Sequence, residues 1–324
     1  MNPDLILQAI HFMKINKTTV FLLLIVVFLA ACNTAKKSET DVEKLVIGVM
    51  SSMDYLPLAV AQNSGYFAEN GVEITIQKFY SPNERDAALQ SNNLDGTILD
   101  YTGGAIQNSG RIPLRFASQC DGTFELIVGK QSGISTLSDL KGKKIAVSRN
   151  TVIDFCTDLA LEKAGLSVQD VEKPEINKIP LRLEMLRNAK IDASMLPDPF
   201  ATIAKSEENR SIISMADLNV RVTGIAFLQK TIDEKPEALK KFYKAYNKAI
   251  EDLKTKPIED FQSVLTEEVG FPPNLVSEIK LPDYSPAQLP QEADLLLVEK
   301  WLKERNLVKP DFDISSIIVT DFIP

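Results

Sequence analysis

The 324 residues carry 36 lysines and arginines against 44 aspartates and glutamates, a formal net charge of -8, with 44% apolar and 25% charged residues. That is an ordinary globular composition with room for two domain-sized lobes. Its acidity argues against nucleic acid, or an anionic membrane surface, as the main partner, because both need a basic field.

Taken in order, the chain opens with Lys14 and Lys17 ahead of the apolar run VFLLLIVVFLAA, residues 20–31. The run is short for a transmembrane span but suits the core of an export signal. It ends Leu29-Ala30-Ala31-Cys32, which resembles the lipobox of bacterial lipoproteins. The resemblance implies a signal peptide over residues 1–31, lipid on Cys32 as the first mature residue, and a polar tether over 32–43. Cleavage removes Asp4, Lys14 and Lys17, so the mature chain is one unit more acidic. It also removes His11, the single histidine. Ser-His-Asp and Cys-His catalysis and histidine-bound metal are thereby lost, and no cofactor, metal or catalytic residue is expected. Cys120 and Cys156 remain without CxxC spacing. Export permits a disulfide between them; Cys156 shares a core face with Leu159 and Ala160, so a buried thiol is the default.

Leu45, Val46, Ile47, Val49 and Met50 form a short, largely β-branched run of the kind found in strands covered on both faces. A small polar loop, Ser51 to Asp54, leads through Tyr55 to Pro57, which suits the first turn of a helix. Gly65 stops that helix, Asn70-Gly71 turns the chain, and Val72, Ile74 and Ile76 alternate as a second strand. The β-α-β crossover places the loop bearing Ser52, Asp54 and Tyr55 at a strand's carboxyl end, where open α/β sheets hold ligands. The segments Tyr55-Leu-Pro57-Leu-Ala-Val-Ala61, Gly65-Tyr66-Phe67 and Gly71-Val72 resemble the opening of ABC-transporter substrate-binding proteins of the nitrate, sulfonate and thiamine-precursor-binding family.

Further along, LDGTILD (94–100) reads as a buried strand ending at Asp100, Tyr101 and Thr102, with Gly103-Gly104 opening a helix whose bare N–H groups can meet a ligand. Residues 113–120 and 124–129 read as strands either side of Asp121-Gly122-Thr123, the first crossing into a second lobe. Leu137 to Val147 resembles the family segment L-x-D-L-K-G-K-x-I-A-V, and Ser148, Arg149 and Thr151 follow it into a helix; Thr151 and Asp154 have capping-box spacing. Leu186-RNAK-Ile191-Asp192-Ala193-Ser194-Met195-Leu196 repeats the pattern of Leu89-QSNN-Leu94-Asp95-Gly96-Thr97-Ile98-Leu99, which points to two lobes on one plan. The second copy ends Pro197-Asp198-Pro199-Phe200, resembling the family's P-E-P-F segment with aspartate for glutamate. Residues 212–215 and 220–228 read as the last strands of this lobe and the crossing back. Beyond Thr231 the chain reads as helical, its apolar stripes packing on the first lobe and Trp301 structural.

The resemblance implies a type II periplasmic-binding-protein fold, with two α/β lobes around a central ligand cleft. Residues 44–121 and 222–324 form lobe 1, and residues 122–221 form lobe 2. It further implies a monomeric, membrane-tethered receptor that hands a small-molecule solute to an ABC permease. The chain has no G-x-x-x-x-G-K-[ST] loop, so the ATPase is a separate subunit. The alternatives are an aliphatic sulfonate or nitrate receptor and an enzyme on the same fold, such as a thiamine pyrimidine synthase; the eukaryotic synthases of this resemblance depend on a histidine. The expected ligand-binding residues are Ser52, Asp54, Tyr55, Asp100, Tyr101, Thr102, Asp121, Ser148, Arg149, Thr151, Phe155, Asp198 and Phe200. In these loops Asp54, Asp100, Asp121, Asp154 and Asp198 outnumber Arg149 and Arg221, and Tyr55, Tyr101, Phe124, Phe155 and Phe200 offer flat faces. That balance favours a flat, donor-bearing heteroaromatic such as a pyrimidine-type thiamine precursor.

Overall fold

The computed structural model describes residues 42–323; Cys32 and the expected signal peptide lie outside the described residues. Nine strands among them fall into two sheets. The first runs in the order β2 (Val72–Phe79), β1 (Glu43–Met50), β3 (Gly96–Asp100), β9 (Thr223–Leu228), β4 (Leu114–Gln119). The second runs β6 (Ile145–Ala146), β7 (Ala193–Pro197), β5 (Phe124–Val128), β8 (Arg210–Ser214). β1 pairs in parallel with β2 and β3, whereas β9 lies antiparallel between β3 and β4. The chain crosses between the sheets twice, from β4 to β5 and from β8 to β9. Residues 220–228 thus make the crossing back, and β9, buried along its whole length, belongs to the first sheet with the rest of 222–324 rather than to the second lobe's strands.

The helices of the first half are α1 (Leu56–Asn63), α2 (Tyr66–Glu69), α3 (Pro82–Gln90), α4 (Tyr101–Ser109), α5 (Val152–Lys163) and α6 (Ile179–Arg187). Those of the second half are α7 (Phe200–Ser206), α8 (Met215–Leu218), α9 (Gln229–Glu234), α10 (Pro236–Thr255) and α11 (Glu292–Glu304). Pro57 sits in the first turn of α1, and Gly65 takes φ +75°, the left-handed conformation that lets α2 start at a new angle. Ser81 caps α3 by accepting from Glu84 N at 3.3 Å. Thr151 caps α5 through Ile153 N, at 3.3 Å, and Asp154 does not close the expected box; its Oδ2 reaches back to Asn150 N at 3.1 Å, and the carboxylate pairs with Lys173.

The internal repeat is physical. Asp95 Oδ2 accepts from Val46 N at 2.8 Å, and Asp192 Oδ2 accepts from Lys144 N at 2.8 Å. Two residues on, Thr97 Oγ1 donates to Gly48 O at 2.8 Å, and Ser194 Oγ donates to Ala146 O at 2.9 Å. In each lobe, then, an acidic turn residue and a strand hydroxyl lock a helix-turn-strand unit onto the parallel strand beside it. These bonds satisfy backbone groups that burial would otherwise leave unpaired.

The long helix α10 fills the first lobe's core, with Phe242 stacked on Phe67 at 5.6 Å and edge-on to Phe227. Trp301 of α11 is structural but does not pack on the first lobe alone. Its ring meets Phe155 of α5 edge-on at 5.6 Å, and its Nε1 donates to Asp158 Oδ2 at 2.9 Å. The Asp158 carboxylate also binds Lys173 at 2.5 Å and Arg305. Cys120 and Cys156 are free, buried thiols, and no helix of the described residues is long and apolar enough to cross a membrane.

Candidate functional site

Strand ends and helix starts from both sheets converge on a cavity of about 50 Å³. The loop after β1 contributes Ser52 and Asp54, β3 ends there with Asp100, and β9 begins there with Thr223. From the second lobe come Phe124 at the head of β5, Ser148 and Thr151 before α5, and Pro197 at the end of β7. Arg85 of α3 and Arg182 of α6 complete the wall. The lobes touch beside it, where Ile179 N donates to Tyr80 O at 3.4 Å and Lys178 Nζ lies 3.5 Å from Glu84 Oε1.

Five of the thirteen expected ligand-binding residues meet in this cavity: Ser52, Asp54, Asp100, Ser148 and Thr151. The others are elsewhere, for identifiable reasons. Tyr55 is swallowed by the core, its hydroxyl donating to Glu268 Oε2 at 2.8 Å. Tyr101 is wholly buried against Phe116, and Phe155 against Trp301. Thr102 points back to Asp100 Oδ1, and Gly104 makes room for the Phe116 ring, 2.5 Å from where a Cβ would stand, rather than for a ligand. Arg149 is 57% exposed and pairs with Glu175 at 3.2 Å, because the chain turns outward before α5. Phe200 is partly buried and packs on the second lobe's own core cluster. Asp121 and Asp198 line a separate, wide groove of about 950 Å³ with Arg221, Lys205 and Asp294. Asp121 Oδ2 accepts there from Ser285 N at 2.8 Å, and Asp198 Oδ1 accepts from Thr202 N at 2.9 Å. Of the five flat faces expected at the cleft, only Phe124 lines the cavity.

The two arginines are the cavity-lining charged residues that the sequence pattern did not single out. Each stands four residues before the first leucine of a repeat copy, Arg85 before Leu89 and Arg182 before Leu186, so carrying the repeat one helical turn upstream would have found them. Arg182 is 1% exposed. Its Nη1 donates to Ile176 O at 2.9 Å, its Nε has no acceptor, and no carboxylate pairs with it among the described residues. Burial alone pulls its pKa down to about 10. Arg85, 3% exposed, donates from Nε to Asp86 Oδ1 at 2.8 Å. Its Nη2 lies 2.7 Å from the same oxygen but out of line for a hydrogen bond, and Nη1 makes only long contacts, 3.5 Å to Ile98 O and 3.9 Å to Met50 Sδ.

Burial lifts both cavity carboxyls. Asp54 rises from 3.8 to about 7 despite accepting from Gly122 N at 2.7 Å and Thr223 Oγ1 at 3.2 Å on Oδ1. Asp100 is raised by burial and held back by Arg85, Thr102 and Gly103 N, the last at 2.7 Å. Asp54 thus ties both inter-lobe crossings to the loop after β1. Gly122 must be glycine for that approach, since a Cβ would stand 2.7 Å from Asp54 N. Among the described residues no group of three or more His, Cys, Asp or Glu side chains could hold a metal ion.

Residues 52–260 match the NMT1/THI5-like family. The chain is 20% identical over 313 residues to the riboflavin-binding protein RibY of Chloroflexus aurantiacus, covering 86% of this chain and 85% of that protein. It is 24% identical over 246 residues to a putative aliphatic sulfonates-binding protein of Bacillus subtilis, covering 72% and 73%. Among solved structures, the alkanesulfonate-binding protein SsuA of Xanthomonas axonopodis pv. citri, bound to MOPS, superposes with a TM-score of 0.74 at 17% identity, over 86% of this chain and 98% of that one. That structural likeness establishes the periplasmic-binding-protein fold.

Proposed function

The chain belongs to the NMT1/THI5-like family, and from that premise we propose that it is a lipid-anchored, extracytoplasmic solute receptor of an ABC importer whose cleft takes a small organic anion. One observation carries the choice of solute: Arg182, buried in the cavity wall without a carboxylate. An unpaired buried cation costs several kcal/mol, by rough estimate, and an oxyanion ligand offsets that cost with charge-assisted hydrogen bonds. The earlier balance of acceptors over cations relied on Arg149, Asp121, Asp154 and Asp198, none of which lines the cavity. A ring sandwich loses its support with Tyr55, Tyr101, Phe155 and Phe200 directed elsewhere. Size agrees, since about 50 Å³ corresponds to roughly three to five water positions, a fit for a sulfonate or carboxylate on a short chain.

The chemistry available supports a receptor rather than an enzyme. The described chain has no histidine, and neither Cys120 nor Cys156 lines the cavity; both are buried, their thiol pKa values pushed up by burial and by the nearby carboxyls of Asp54 and Asp100. The lipid anchor rests on Leu29-Ala30-Ala31-Cys32, and delivery to a permease on the family and the two-lobed fold. A thermal-shift panel tests the solute. Methanesulfonate, ethanesulfonate, taurine, nitrate and acetate are set against an aminopyrimidine and riboflavin. Stabilisation by small anions is the expected result; stabilisation by pyrimidine or flavin alone, or turnover of any of them, overturns the reading.

A further inference from the structure

Arg85 and Arg182 hold the same place in the two copies of the internal repeat, each four residues before the repeat's first leucine, and both face one cavity. The repeat is structurally exact enough to carry that comparison. The acid-to-backbone bonds of Asp95 and Asp192 and the hydroxyl bonds of Thr97 and Ser194 recur at matching positions. What differs is what the guanidinium groups have found. Arg182 keeps an Nε–H with no acceptor, while Arg85 keeps an Nη2–H out of line with Asp86 and an Nη1 edge served only by long contacts. One arginine from each lobe, each with an unmet donor, thus lines a space too small for two separate ligands.

We infer that Arg85 and Arg182 act as a pair that grips a single oxyanion from opposite lobes, and that this shared grip, rather than either arginine alone, sets the preference for an anionic headgroup. The inference rests on the anion-receptor reading and adds to it a second residue and a geometry. A planar guanidinium donates along fixed directions, so a carboxylate or sulfonate can accept from one lobe on one oxygen and from the other lobe on the next. Arg85 is already part-neutralised by Asp86 and Asp100, so while Asp54 in the same cavity keeps its proton, below about pH 7, the pair brings one uncompensated positive charge, that of Arg182, to the headgroup. The ligand then bridges the lobes when they meet, and a neutral amide of the same shape fails because it lacks the charge and the second acceptor.

Isothermal titration with ethanesulfonate and acetate, and with acetamide as the neutral control, tests this on wild type, R85Q, R182Q and the double variant. Each single variant is expected to weaken anion binding at least tenfold, and the double variant to be no more than about threefold worse than the poorer single, because removing either hand breaks one shared grip. R85K keeps the charge and loses the fork; it is expected to bind more weakly than wild type, and it decides the matter if R85Q does not fold. Wild-type protein that binds neither anion overturns the anion reading and this inference together. Wild type that binds, with R182Q impaired and R85Q or R85K as tight as wild type, overturns the pair alone. Independent, additive losses also overturn it.

Discussion

Replacing Asp54 by asparagine keeps the side chain's shape and the Oδ1 acceptor for Gly122 N and Thr223 Oγ1, and removes only the ionisation. Burial raises the Asp54 pKa from 3.8 to about 7. A carboxyl whose pKa rises on folding holds its proton more tightly in the folded chain than in the unfolded one. Folding stability from this group is therefore greatest below about pH 4, falls as pH climbs towards about 7, and is level above that. At about 1.4 kcal/mol per pKa unit, the stability lost relative to low pH, as the unfolded chain and then the folded one give up this proton, is about 2 kcal/mol at pH 5 and about 4 kcal/mol at pH 8. Asp54→Asn escapes that cost, so its stability relative to wild type should improve by roughly 2 to 3 kcal/mol between pH 5 and pH 8. Any penalty for the amide's own unpaired N–H groups is the same at both values and drops out of the comparison. Asp100, Asp121, Asp198 and Asp294, also raised by burial, tilt both proteins alike. Urea unfolding followed by far-ultraviolet circular dichroism, without solute, measures the difference. A gap between the two proteins that stays constant from pH 5 to pH 8 would show that Asp54 is not the strained carboxyl described here.

Two further outcomes follow from the contacts and a third from the Leu29-Ala30-Ala31-Cys32 signal. Gly122→Ala puts a Cβ 2.7 Å from Asp54 N and should cost about 1 to 3 kcal/mol, a fall in Tm of several degrees; calorimetry showing an unchanged Tm would contradict the close approach. Asp158→Ala strips Lys173, Arg305 and Trp301 Nε1 of a shared acceptor and should destabilise by about 3 kcal/mol, against less than about 1 kcal/mol for an exposed pair such as Lys130 and Glu208. Cys32→Ala should abolish lipid labelling and release the protein from the membrane fraction; unchanged labelling would remove the basis for an anchor.

The sequence pattern made the architecture readable because burial on both faces writes itself into strands such as β1 and β3, and because the repeat at 89–99 and 186–196 marks two similar lobes. Strand ends were placed well enough to bring Ser52, Asp54, Asp100, Ser148 and Thr151 to the cavity. Side-chain direction was not legible there. Tyr55, Tyr101 and Phe155 stand within one residue of cavity-lining positions or on a cavity-lining helix, yet neighbouring positions on a helix point about 100° apart, and large rings go where most apolar area is buried. Arg85 and Arg182 escaped notice for the opposite reason. A charged residue one turn inside a helix reads as solvent-facing, and only the matching of the two repeat copies, together with the burial created where the lobes meet, shows otherwise.

Trp301 is the chain's single tryptophan, and its place gives the molecule a native optical reporter. Thr151, Val152 and Ile153, at the start of α5, line the cavity, and within about two turns along the same helix Phe155 and then Asp158 hold the indole by its edge and its nitrogen. A rigid helix joins the two. Emission from Trp301 therefore reports the packing of α5 against α11 with no dye attached and no competing tryptophan signal, and a shift in α5 relative to α11 would register in its wavelength and intensity.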